Sequence, residues 1–173
     1  MNARELARKF GMLSVEEVDA IQKVVKMLNV QNPVAVNIGA GVGTSTVAML
    51  EAHPKIVVFE VDKKLQPQAM QNLAEAGFGK ENRVKRVIGN SWDIGQNWPL
   101  QVDLVFVDGA HHDDAVIADI EAWRPHLKPF GYMLFHDYHH RNVPGLTAIV
   151  DRMMTGCQQV CSARYLVGFQ VGA

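Results

Sequence analysis

Apolar, β-rich residues recur along the chain in short, nearly continuous runs: Val34–Ile38, Ile56–Val61, Val84–Ile88, Asp103–Val107, Tyr132–Phe135 and Tyr165–Val171. Continuous rather than alternating runs mark strands covered on both faces, as in a parallel sheet. Between them the apolar positions fall at helical spacing. Ser14 with Glu17 three residues on forms a capping-box pattern, and Val18, Ile21, Val25 and Leu28 then share one helical face. Residues 44–52, 65–76, 113–124 and 144–154 read as further helices. Pro67 has to sit in a first turn, Gly77 closes its helix, and Pro125 ends the next one. Gly95 falls in a connecting loop. Strands alternating with helices give an α/β fold: a doubly wound, mostly parallel sheet with helices on both faces. The expected order is 3-2-1-4-5, with one or two strands added at the end. No repeat or linker interrupts the pattern, so residues 1–173 read as a single domain, with an N-terminal helical segment (1–33) and a core (34–173).

Composition narrows the class. The chain has 173 residues, 48% hydrophobic and 20% charged, with a formal charge of −1. That balance is globular and offers no basic surface for nucleic acid or an anionic membrane. The opening residues are too charged for a signal peptide, and no run approaches the ~20 apolar residues that span a bilayer. The expectation is a cytoplasmic protein with no nucleic-acid or membrane partner. Cys157 and Cys161 lack a second pair to complete a zinc site and read as ordinary thiols.

The strongest local motif is Asn37-Ile-Gly39-Ala40-Gly41-Val-Gly43-Thr-Ser45, between the first strand and its helix. Glycines permit a tight turn and close approach of a ligand, and the helix N-terminus offers N–H groups to an anion. The spacing G-x-G-x-G, with Thr44 where a dinucleotide fold places its third glycine, argues against NAD, and the Gly-Lys-Ser/Thr ending of a P-loop is missing. Glu60, followed by Val61, stands where the second strand ends, a position from which a carboxylate accepts hydrogen bonds from both ribose hydroxyls. Gly89-Asn90-Ser91-Trp92, past the third strand, offers edge hydrogen bonds and a flat face to an adenine. Asp108 and Asp137 follow the fourth and fifth strands, on the side where ligands bind in such sheets. His111, His112, His139 and His140, four of the 7 histidines, lie just after them.

The stretch FVDGAHHDDAVIADIEAWRPHLKPFGYMLFHDY, residues 106–138, resembles the methyltransferase family that includes macrocin O-methyltransferases and cephalosporin-hydroxylase-like proteins. That family carries strand-Asp-Gly-x-His, a helix with Asp and Trp, Leu-x-Pro-Gly-Gly, and His-Asp-Tyr; here Pro129-Phe130-Gly131 replaces Pro-Gly-Gly. More distantly, residues 34–140 resemble catechol O-methyltransferase. The resemblance implies a Rossmann-like class I methyltransferase that binds S-adenosyl-L-methionine. It places Glu60 at the ribose, Ser91 and Trp92 at the adenine, and Asp108 and Asp137 on a metal. His111 stands where catechol O-methyltransferase has its catalytic lysine, and Tyr138 where it has a metal-binding asparagine.

The function expected is O-methylation of a small molecule, a sugar or hydroxylated natural product. Asn37, Gly39, Ala40, Gly41, Gly43, Ser45, Glu60, Val61, Gly89, Asn90, Ser91, Trp92 and Asp108 form the candidate cofactor site, and His111, Asp108 and Asp137 the catalytic group. Carboxylates on adjacent strands, ~5 Å apart, repel unless one is protonated or a cation lies between them. Mg²⁺ suits oxygen ligands, and an imidazole at His111 can take a hydroxyl proton near neutral pH. His139 is the candidate third ligand or substitute base. No long insertion covers the acceptor side, which is therefore open or completed by a second subunit in a homodimer. The alternatives are a lid-less S-adenosyl-binding module without activity, a methyltransferase for nitrogen or macromolecules, and a nucleotide-binding oxidoreductase. The Asn-Pro-Pro-Tyr/Trp motif of amino-group targets is absent.

Overall fold

The computed structural model describes residues 1–80 and 82–173. Two capped helices come first. Helix α1 (Ala3–Phe10) and helix α2 (Val15–Met27) each begin with a capping box, Asn2 with Glu5 and Ser14 with Glu17. The strands are β1 (Val34–Ile38), β2 (Val57–Asp62), β3 (Val84–Ile88), β4 (Val102–Val107), β5 (Leu127–Phe135), β6 (Gln158–Ala163) and β7 (Leu166–Gln170). Helices α3 (Thr44–Ala52), α4 (Pro67–Glu75), α5 (Ser91–Gln96), α6 (Asp113–Trp123) and α7 (Pro144–Met153) complete the order.

Among the described residues the strands make one sheet, β3-β2-β1-β4-β5-β7-β6. The first five positions are parallel; β7 pairs antiparallel with both β5 and β6. The expected 3-2-1-4-5 order with two added strands is therefore observed. Pro67 occupies the first turn of α4, where its missing N–H costs nothing.

Alternate residues of the buried strands enter opposite cores. Leu104, Phe106, Tyr132 and Leu134 pack with α1, α2 and α3, while Val105, Val107, Met133 and Phe135 pack with α6 and α7. That double burial explains why these strands read as unbroken apolar runs. Asp103, at the start of β4, accepts from the Val34 backbone (2.8 Å) and from Lys128 Nζ (2.9 Å), and so ties β1 to β5 at the sheet's N-terminal end.

Some boundaries differ from expectation. Strand β2 runs two residues past Glu60 to Asp62. Gly95 lies in α5, not in a loop. A Cβ there would meet Ala122 Cβ at 2.8 Å and the Trp123 ring at 2.9 Å, so the glycine is what lets α5 press against α6. Strand β6, half-exposed at the sheet edge, had no apolar run to announce it.

Gly95→Val should destabilise the fold by about 1–3 kcal/mol through overpacking at a well-filled helix contact. Urea unfolding measures it. A midpoint unchanged from wild type would show that α5 can move away from α6 freely.

Candidate functional site

The C-terminal ends of β1, β2, β3 and β4 open into a cavity of ≈ 410 Å³, lined by Ile38, Gly39, Gly41, Asp62, Trp92 and Asp108 among others. That volume lies within the roughly 300–1,000 Å³ of small-molecule sites. It forms at the switch point, where β1 is followed on one side by β2 and on the other by β4.

The glycines of the loop have separate jobs. Gly39 (φ +83°) lies against the Asp108 backbone: a Cβ there would collide with the Asp108 carbonyl oxygen, so only glycine fits this approach of the loop to the end of β4. Gly41 (φ +51°) lines the cavity and faces only the tip of Met12. Gly43 is the N-cap of α3. It supplies no side-chain cap, and the first turn holds no acidic residue, so N–H groups there stay open to an anionic ligand group. Thr44 Oγ1 is buried beside them without a hydrogen-bond partner.

Of the other residues expected to hold a cofactor, Val61, Gly89, Ser91, Trp92 and Asp108 line this cavity. Ala40 and Ser45 line small clefts next to it. Asn37, Gly43 and Asn90 line none of these spaces. Asn37 is buried under the loop, donating to Ser45 Oγ (3.0 Å) and Thr46 Oγ1 (2.9 Å). The Thr46 hydroxyl passes the chain on to Glu60 Oε1 (2.8 Å), whose other oxygen meets Arg86 Nε at 3.3 Å. Burial pushes the Glu60 carboxyl up, against the pull of Thr46 and Arg86. Glu60 shares a narrow cleft with Asp62, and Asp62, at the true tip of β2, also lines the main cavity. Its carboxylate accepts from the Ala40 backbone (3.3 Å) and Gln66 Nε2 (2.9 Å). Sequence reasoning missed Asp62 because it took the strand to end at Glu60.

Beyond β4 and β5 the structure assembles a charged cluster. Ligand atoms of Asp108, His111 and Asp137 lie within 4.8 Å of one another. His111 Nε2 is 3.3 Å from Asp137 Oδ2. The third member is thus His111, not His139, which turns away to Thr147. Tyr138 is also outside the cluster, donating to Asp151 on α7 (2.7 Å).

His136 is the cation between the carboxylates. Its Nδ1 is 3.2 Å from Asp108 Oδ1 and 3.5 Å from Asp137 Oδ2, and its Nε2 is 3.4 Å from Glu17 Oε1. Burial opposes its charge, but Asp108, Asp137 and Glu17 beside the ring outweigh burial and push it up to about 12; at 3.4 Å from Glu17, Nε2 makes an ion-pair approach and no hydrogen bond. His136 also leads the effects that hold Asp137 below the usual carboxylate range, while burial keeps Asp108 above it. Glu17 accepts in addition from Ser14 N (2.6 Å) and Tyr165 N (2.9 Å). It is the capping-box residue read from sequence, but its link to the site could not be read there.

A second cavity of ≈ 330 Å³ lies on the far side of Asp137. It is walled by Met12, Glu17, His136, Asp137, Arg141 and Tyr165 among others. Met12 borders both cavities. The α1–α2 loop and the β6–β7 turn thus contribute walls to this half-open cavity from within one chain.

The profile of a family described as "Methyltransferase domain" matches residues 36–138. The chain belongs to this methyltransferase family. Solved structures share its fold. A Staphylococcus aureus protein provisionally named a caffeoyl-CoA O-methyltransferase is 21% identical, with TM-score 0.77 over 100% of this chain and 93% of that one. The O-methyltransferase NovP is 15% identical, with TM-score 0.77 over 94% and 82%. The O-methyltransferase TomG from Streptomyces achromogenes, solved with S-adenosylmethionine, is 17% identical, with TM-score 0.75 over 99% and 88%. No curated protein sequence matches the chain. Among the described residues no helix of this methyltransferase is long and apolar enough to cross a membrane.

His136→Ala would leave Glu17 and Asp108 facing each other's charge without a counter-ion. The methyltransferase should lose about 3–5 kcal/mol of stability, as buried pairs do when one partner is removed. Denaturant titration reads this directly, and a loss under 1 kcal/mol would mean the carboxylates find other partners.

Proposed function

We propose that this methyltransferase moves the methyl group of S-adenosyl-L-methionine to a hydroxyl oxygen of a small molecule. The observation that carries the reading is the pair of cavities, one on the glycine loop and one beyond Asp137, meeting at Met12. The cofactor fits the first cavity and the clefts that adjoin it: the uncapped N-terminus of α3 in one cleft for its carboxylate, Asp62 with Glu60 of the other cleft for the ribose, and Ser91 and Trp92 for the adenine. When bound, it supplies a methyl already activated by the sulfonium. The chain's own residues then hold the acceptor hydroxyl in line, exclude water and take up its proton. His111 is the base. Asp137, 3.3 Å from its Nε2, orients the ring and steadies its charge once protonated.

Asp108, His111 and Asp137 are alternatively the residues that would hold a divalent cation, which would lower the pKa of a bound hydroxyl; His111 would then serve as a ligand in place of the base. Mg²⁺ is the ion the two carboxylates suit, while the imidazole widens the choice toward Mn²⁺ or Fe²⁺. His136 already places one positive charge against both carboxylates, so the site has a route to stability with no metal.

Calorimetry with S-adenosylhomocysteine tests the cofactor assignment. Glu60→Gln and Asp62→Asn should each weaken binding by about 1–3 kcal/mol, the scale of a hydrogen bond to a charged group. Tight binding of NADH with none of S-adenosylhomocysteine would refute the reading. For the chemistry, methyl transfer from labelled cofactor to a panel of hydroxylated small molecules identifies an acceptor. With it, His111→Ala should lower the rate ~10²–10⁴-fold while cofactor affinity holds. Unchanged turnover in EDTA would remove the metal from this account.

A further inference from the structure

We propose that Asp119 is a positioning residue that turns Ser91 into a one-way hydrogen-bond acceptor, giving the cofactor site its preference for adenine over a 6-oxopurine. This rests on the reading that the cofactor's base lies against residues 89–92. Asp119 sits on α6 with none of its surface exposed. The Ser91 hydroxyl donates to Asp119 Oδ1. One helical turn later, Trp123 Nε1 donates to the Ser91 carbonyl (3.1 Å). Helix α6 thus grips Ser91 from behind by side chain and backbone, while Ser91 itself forms part of the cavity wall.

A serine hydroxyl has one proton and two lone pairs, and an ionised carboxylate only accepts. With the proton committed to Asp119, Ser91 presents lone pairs to the cavity. It can accept from the 6-amino group of adenine. Against the 6-oxo group of hypoxanthine it sets lone pair against lone pair, and the hydroxyl cannot rotate to donate without abandoning Asp119.

The arrangement is expensive if it serves packing alone. Burial pushes the Asp119 carboxyl up to about 6, against the pull of Ser91 and Lys63, and its Oδ2 has no hydrogen-bond partner. That free oxygen lies under Gly109, 3.7 Å from where a Cβ would stand, and Gly109 lines the same cavity. A neutral side chain would fill the space at less cost, but would not commit the serine proton in one direction.

The test is calorimetry at pH 8 with S-adenosylhomocysteine and S-inosylhomocysteine, which differ only at purine position 6 and its neighbouring N–H. The wild type should favour the adenosyl compound about 10–100-fold, the scale of a buried polar group left facing the wrong partner. Asp119→Ala frees the serine proton and should shrink the preference to within about threefold. Ser91→Ala, which keeps Asp119 and needs no refolding of α6, should shrink it as well. A merely structural Asp119 would weaken both ligands alike and leave their ratio unchanged; that ratio, preserved in either folded variant, overturns the proposal. Wild-type binding of both compounds with equal affinity overturns it too, with the cofactor reading intact. No binding of S-adenosylhomocysteine at all would overturn the cofactor reading and this inference together.

Discussion

The side chain of His136 is the contact on which the site is organised. Three carboxylates reach it from three distant segments: Glu17 on α2, Asp108 after β4 and Asp137 after β5. Without a cation among them these carboxylates would repel one another where α2 packs on the sheet. With it, Glu17 also accepts from Ser14 and Tyr165, so one buried charge fastens the start of α2, the end of β5 and the β6–β7 turn together. Sequence reasoning asked for either a protonated carboxylate or a cation between Asp108 and Asp137, and named a metal as that cation. The protein places one of its own side chains there.

That fastening decides the shape of the cleft. The α1–α2 loop is held over the glycine turn, so that Met12 stands between the cavity at the ends of β1–β4 and the one beyond Asp137. The family match covers residues 36–138, which carry the Asp108–His111–Asp137 cluster and, apart from Met12, the lining of the first cavity. The second cavity draws Met12, Glu17, Arg164 and Tyr165 from outside that range.

Below the glycine loop, buried polar groups hold the loop in place. Asn37, Thr46 and Glu60 form a buried relay ending at Arg86. Asn37 and Glu60 stood out in the sequence as candidate ligand contacts; here they are joined through Thr46, and Asn37 Oδ1 is left without a hydrogen-bond partner. Asp62, two residues beyond Glu60 on the same strand face, is the carboxylate that reaches the cavity wall.

What the sequence by itself determined is whatever depends on neighbours a few residues apart. The β-rich runs, the Ser14 capping box, Pro67 in a first turn and the glycine turn after β1 were all legible, because strand period, helix caps and backbone sterics are local. The family signature at 106–138 added the class of chemistry. Strand β6 escaped because an edge strand buries too little to need an apolar run, and α5 because six residues around a glycine carry no period. Only the tertiary structure decided that Glu17 meets His136, that Asp119 grips Ser91, and that His111 rather than His139 joins Asp108 and Asp137. Charges and hydrogen bonds act across space without a repeat along the chain. Their partners are chosen by which loops the packed sheet and helices bring to the same edge.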